Sequence, residues 1–229
     1  YGIYLAAVMG RTRDVDAPQL IAECEDLLTS ARRLQAGFSP ADQARLENVS
    51  ALLTKARGLL ADAPDRERLL SDAKSGFLRA FSLAESVDDA YAMGAALYNI
   101  GELCYARDRL GREGASEEDA SEALSWFRQS VAMAERLGVT RDLYLDHARL
   151  ADVLTTIASA RLRRGVPDGV EGLLVQAGRL VETVRTNGNR LERKLGRRTA
   201  LRLKLAEHAQ SALSSELAKR TKRRGAALR

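Results

Sequence analysis

One pattern of small and large apolar residues recurs three times in the middle of the chain. The copies are Ala73-x3-Phe77-x2-Ala80-x3-Ala84-Glu85, Ala123-x3-Phe127-x2-Ser130-x3-Ala134-Glu135 and Val170-x3-Leu174-x2-Ala177-x3-Val181-Glu182. Steps of three and four residues put the apolar members of each copy on one face of an α-helix. Successive copies begin 50 and 47 residues apart, and such regular recurrence is typical of stacked helical repeats.

A second pattern precedes each copy of the first. It comprises Leu46, Val49, Ser50 and Leu53, then Leu97, Ile100, Gly101 and Cys104, then His147, Leu150, Ala151 and Leu154. Spacings of three, one and three again define one helical face, and the small third residue lets another helix approach closely. Each pair of patterns therefore predicts a helical hairpin with a first helix and a second helix.

Helix starts and stops agree with this reading. Ser39-Pro40-Ala41-Asp42 is the clearest start, because Ser39 can accept from first-turn N–H groups and Pro40 loses nothing at the first helical position. Gly37, Gly138 and Gly188 predict ends, because glycine readily takes the left-handed conformation. The signals predict helices at 1–11, 18–36, 40–61, 65–86, 88–110, 116–138, 141–164, 168–187 and 190–222. Aromatic residues make up only 5% of the chain, which disfavours an all-β fold.

The two patterns together resemble the tetratricopeptide repeat (TPR) family. The best match runs from Leu97-Tyr-Asn-Ile100-Gly101 to Ala123-Leu-Ser-Trp-Phe127, and the resemblance covers residues 40–187. The repeat here is longer than the roughly 34 residues of the family, with an extended linker at 107–121. The resemblance implies an all-α solenoid of antiparallel hairpins over residues 1–187, followed by a basic C-terminal capping helix and tail at 188–229. A closed helical bundle is the structural alternative.

The resemblance also implies a ligand groove. Such arrays bind an extended peptide or a partner helix along their first helices, and the positions expected to face it are Glu47, Asn48, Tyr98, Asn99, Glu102, Arg149 and Asp152. Asn48 and Asn99 occupy equivalent places, and asparagine can both donate to and accept from a peptide backbone. The alternative is that these are ordinary solvated residues.

No catalytic or metal-binding motif is found in the sequence, so we expect a non-enzymatic protein with no cofactor and no metal. His147 holds the large-residue position of its helix and is interpreted as a packing residue. Cys104 is interpreted as a small buried hydrophobe, and the acidic neighbours of Cys24 would raise its pKa. The acidic run Glu117-Glu118-Asp119 fits a helix start, because consecutive helical residues point in different directions.

The C-terminal segment separates an apolar stripe from a basic one. Residues 190–229 carry 13 Lys and Arg against 3 Asp and Glu, although the whole chain is only +5. The apolar stripe Leu201, Leu205, Ala209, Leu213 and Leu217 is predicted to dock on the 141–187 hairpin. The candidate contacts for a polyanion are Arg190, Lys194, Arg198, Arg202, Lys219, Arg220, Lys222, Arg223 and Arg224. Nucleic acid, an acidic protein or an anionic surface could use them, and a solvated charge run is the alternative.

Three functional hypotheses follow. The first is a protein-interaction scaffold, as a subunit or domain of a larger complex. The second is a structural nucleic-acid-associated protein, such as an organellar ribosomal or other ribonucleoprotein component. The third is a regulatory sensor domain of a larger signalling or transcription protein. The start at Tyr1 rather than Met is compatible with a processed or partial chain.

The cysteines and the apolar runs bear on where the chain works. Cys24 and Cys104 lie far apart and outside any C-x-x-C motif, which favours an intracellular, reducing compartment. The longest apolar stretches, such as Ile3 to Gly10, are shorter than a membrane span requires. We therefore expect no membrane span, and the sequence does not distinguish cytoplasm from organelle matrix.

Overall fold

All regular structure in the described part of the chain is helical. The computed structural model describes residues 17–110, 117–138, 140–164, 166, 168–190, 211–219 and 222. The helices are α1 (Ala17–Arg33), α2 (Pro40–Leu60), α3 (Ala63–Glu85), α4 (Ala90–Leu110), α5 (Glu117–Leu137), α6 (Thr140–Arg163) and α7 (Val170–Arg190), with a short 3-10 helix at Gln35–Gly37. Residues 211–219 are also helical. The predicted helix at 1–11 and most of the one at 190–222 lie outside the described residues.

The ends of these helices follow the local chemistry of the sequence. Ser39 precedes α2, and its Oγ accepts a hydrogen bond from the backbone N–H of Asp42 at 3.2 Å. Gly138 takes a left-handed φ of +65° just after α5, as predicted. Two predicted glycine stops are wrong. Gly37 ends the 3-10 helix without a left-handed φ, and Gly188 lies inside α7, which continues to Arg190.

The chain divides between Leu103 and Cys104 into two compact units, with the boundary inside α4. In the first unit, α2 packs against both α1 and α3. A Cβ on Gly58 would touch the side chain of Leu70, and a Cβ on Gly76 would lie 2.9 Å from that of Ala51. The contacts run backwards along α2, from Gly58 to Ala51, as they run forwards along α3, from Leu70 to Gly76. The two helices are therefore antiparallel. Their backbones approach closely because both glycines lack a side chain.

The recurring Ala-x3-Phe pattern forms the buried face of the second helices. Phe77 in α3 and Phe127 in α5 are both 0% exposed, as predicted for equivalent positions. Val170, Leu174 and Ala177 of the third copy are also buried. The glutamate that ends each copy is exposed, so the polar member of the pattern marks the edge of the buried face.

In the second unit, α6 packs against both α5 and α7. Ala158, Leu162, Val170 and Leu174 form a core cluster between α6 and α7, and Leu213 and Leu217 pack against that cluster. The predicted docking of the C-terminal apolar stripe is confirmed for these two leucines. Leu201, Leu205 and Ala209 lie outside the described residues.

These packing relations confirm the predicted fold class of all-α antiparallel helical hairpins. The domain division at 187 and 188, which was drawn from the charge distribution, stays a prediction. Among the helices that the structure describes, none is long and apolar enough to cross a membrane.

Candidate partner-binding surface

Asn48 and Asn99 face each other across two successive first helices. Asn99 Nδ2 donates to Asn48 Oδ1 at 3.0 Å, which joins α4 to α2. Both side chains are partly exposed. The bond uses one donor of Asn99 and one acceptor of Asn48, so the amide of Asn48 can still donate and the oxygen of Asn99 can still accept. The two asparagines at equivalent positions in the sequence are therefore neighbours in the fold, and each keeps hydrogen-bonding groups that their mutual bond does not use.

The other predicted groove residues of the first unit have different surroundings. Glu47 accepts from Arg79 Nε on α3 at 3.2 Å, and both residues line a cleft with a volume of about 550 Å³. Tyr98 is partly exposed, whereas Glu102 is buried. Glu47 thus belongs to the α2–α3 side of the hairpin.

Arg149 and Asp152 take part in a buried polar cluster in the second unit. Arg149 Nη1 donates to Asp152 Oδ2 at 2.8 Å, and its guanidinium carbon lies 4.6 Å from the centroid of the Tyr105 ring. Thr156 Oγ1 donates to the backbone oxygen of Asp152 and lies 2.9 Å from the Tyr105 hydroxyl. Either hydroxyl can be the donor of that second bond. The cluster ties α4 to α6.

A second buried polar group connects α5 with α6. Ser130 Oγ donates to Asp146 Oδ2 at 2.6 Å, and both residues are buried. The adjacent His147 is 9% exposed, and its Nδ1 has no hydrogen-bond partner in the described structure. Burial lowers the pKa of His147 below its ordinary value, and the weaker effect of the Glu135 charge opposes this. His147 is thus a neutral packing residue near pH 7.

An apolar groove of about 410 Å³ lies between α1 and α2. Its walls are formed by Cys24, Leu27, Leu28, Ala31, Phe38, Asp42, Arg45, Leu46, Val49 and Leu53. Leu27 is 53% exposed and Val49 is 36% exposed. In α4, Leu97 and Ile100 hold the pattern positions of Leu46 and Val49, yet both are fully buried. The same helical face is therefore more exposed in α2 than in α4.

The two cysteines are buried thiols. Burial raises the pKa of the Cys24 thiol, and the neighbouring charge of Glu23 adds to the rise, as the sequence predicted. Cys104 is 0% exposed. The raised pKa makes the Cys24 thiol a weak nucleophile, because little thiolate is present near neutral pH. The described residues include no cluster of three or more possible metal ligands.

The structure describes few of the predicted polyanion contacts. Lys219 and Lys222 are exposed. Arg190 is the last residue of α7, and nothing of its side chain is described. The remaining candidates, Lys194, Arg198, Arg202, Arg220, Arg223 and Arg224, lie outside the described residues.

No family model, curated protein or solved structure matches this chain. The likeness to tetratricopeptide repeats thus rests on the residue patterns alone.

Sequence reasoning missed the groove and the two buried polar clusters. The apolar face of α1, with Cys24, Leu27 and Leu28, is visible as helical periodicity. Periodicity shows that a face is apolar, but it does not show whether another helix covers it. The Tyr105–Arg149 contact joins residues of two helices and has no local signal.

Proposed function

We propose that this chain is a non-enzymatic protein-interaction scaffold that works as a subunit or domain of a larger complex. Its partner is an extended peptide or a helix bound along the first helices of the hairpins. The observation that carries this proposal is the Asn48–Asn99 pair. Two amides at equivalent positions, partly exposed and mutually oriented, present the donor and acceptor that a peptide backbone requires.

The surroundings of the amide pair support the same proposal. The pair sits on helices that are held by their neighbours, since α2 contacts both α1 and α3 and α4 buries Leu97 and Ile100. Binding sites built on rigid elements are better pre-organised than sites on loops. A partner that bonds to both amides would gain affinity without ordering the scaffold.

The test is affinity capture from the native source with the intact chain as bait. The double variant Asn48→Ala and Asn99→Ala removes both amides, and Gln129→Ala removes an exposed amide of α5 as the matched control. We expect the double variant to capture at least about tenfold less partner than the unmodified chain. The control should capture as much partner as the unmodified chain. Equal capture by all three baits, with unchanged helicity by circular dichroism, would exclude this surface.

A second candidate function is association with nucleic acid through the C-terminal segment. The observation that favours it is that the helix at residues 211–219 has two different sides. Leu213 and Leu217 pack against the core, whereas Lys219 is exposed. Affinity for generic RNA and DNA, measured from 50 to 200 mM salt, tests it, because phosphate contacts weaken steeply as salt rises. Salt-independent or undetectable binding would exclude this function.

A further inference from the structure

We draw no further inference here: the strongest candidate, the apolar groove of about 410 Å³ between α1 and α2, carries nothing because nothing in the described part of the chain shows what covers it.

Discussion

His147 shows how one buried side chain makes stability depend on pH. The equivalent positions in the two earlier first helices are Leu46 and Leu97, so the site is apolar by pattern. Burial lowers the pKa of His147 from its ordinary 6.5, and the unfolded chain therefore binds the proton more tightly than the folded chain does. Protonation of His147 therefore does not lower the free energy of unfolding well above pH 6.5, and it lowers this free energy progressively as the pH drops below 6.5.

Replacement of this histidine by leucine is expected to remove that dependence. Urea unfolding of His147→Leu between pH 7.5 and 5.5 should show a smaller loss of unfolding free energy than the unmodified chain. His208→Gln, which changes the other histidine of the chain, should behave like the unmodified chain. An identical pH slope for His147→Leu would assign the dependence to other groups.

Phe77 and Phe127 test whether the recurring pattern identifies the core residues that matter most. Each is fully buried, so truncation to alanine should cost about 3–5 kcal/mol of unfolding free energy. Leu78→Ala, beside Phe77 but 38% exposed, should cost about 1 kcal/mol or less. Denaturant unfolding followed by circular dichroism measures all three. A cost for Leu78→Ala equal to that of Phe77→Ala would contradict the assigned register.

At the scale of elements, glycines distinguish close helix contacts from open surface. A Cβ at Gly76 would lie 2.9 Å from the Cβ of Ala51, whereas a Cβ at Gly172 in α7 would meet no atom of another element within 4 Å in the described part of the chain. Gly76→Ala should therefore destabilise the chain, because α2 and α3 have to separate. Gly172→Ala should stabilise it by up to about 1 kcal/mol through helix propensity. Thermal unfolding of both variants would show opposite shifts, and equal shifts would refute the close approach.

At the scale of the whole molecule, the separation of charge leads to a further prediction. Residues 190–229 hold 13 basic residues, and Leu213 and Leu217 fix part of this segment to the core. Replacing Arg220, Lys222, Arg223 and Arg224 with Gln should weaken binding to a polyanion such as heparin. It should also flatten the salt dependence, because fewer counterions are released.

Thermal stability provides the control for this fourfold variant. It should stay unchanged, since Lys222 is exposed and exposed charges contribute little to stability. If the variant keeps its affinity for the polyanion, the terminal cluster is a solvated charge run.

The fold class and much of the core could be predicted from the sequence alone. Helical periodicity, the cap at Ser39 and the Ala-x3-Phe pattern are local signals, and local signals decide where helices begin and which face is buried. They located Phe77 and Phe127 in the core. They misplaced the end of α7, because a single glycine inside a helix costs only about 1 kcal/mol and does not by itself end the helix.

Tertiary structure alone decided the pairing of side chains that lie far apart in sequence. Hydrogen bonds join Asn48 to Asn99, Tyr105 to Thr156 and Ser130 to Asp146. These residues come together because the lengths of the helices and the positions of the turns fix which residues of two helices are neighbours. Tertiary structure also decided how much of each apolar face is buried. Leu46 and Leu97 have the same character in sequence, yet Leu46 lines a groove and Leu97 is 1% exposed, because burial depends on which other elements pack against a helical face.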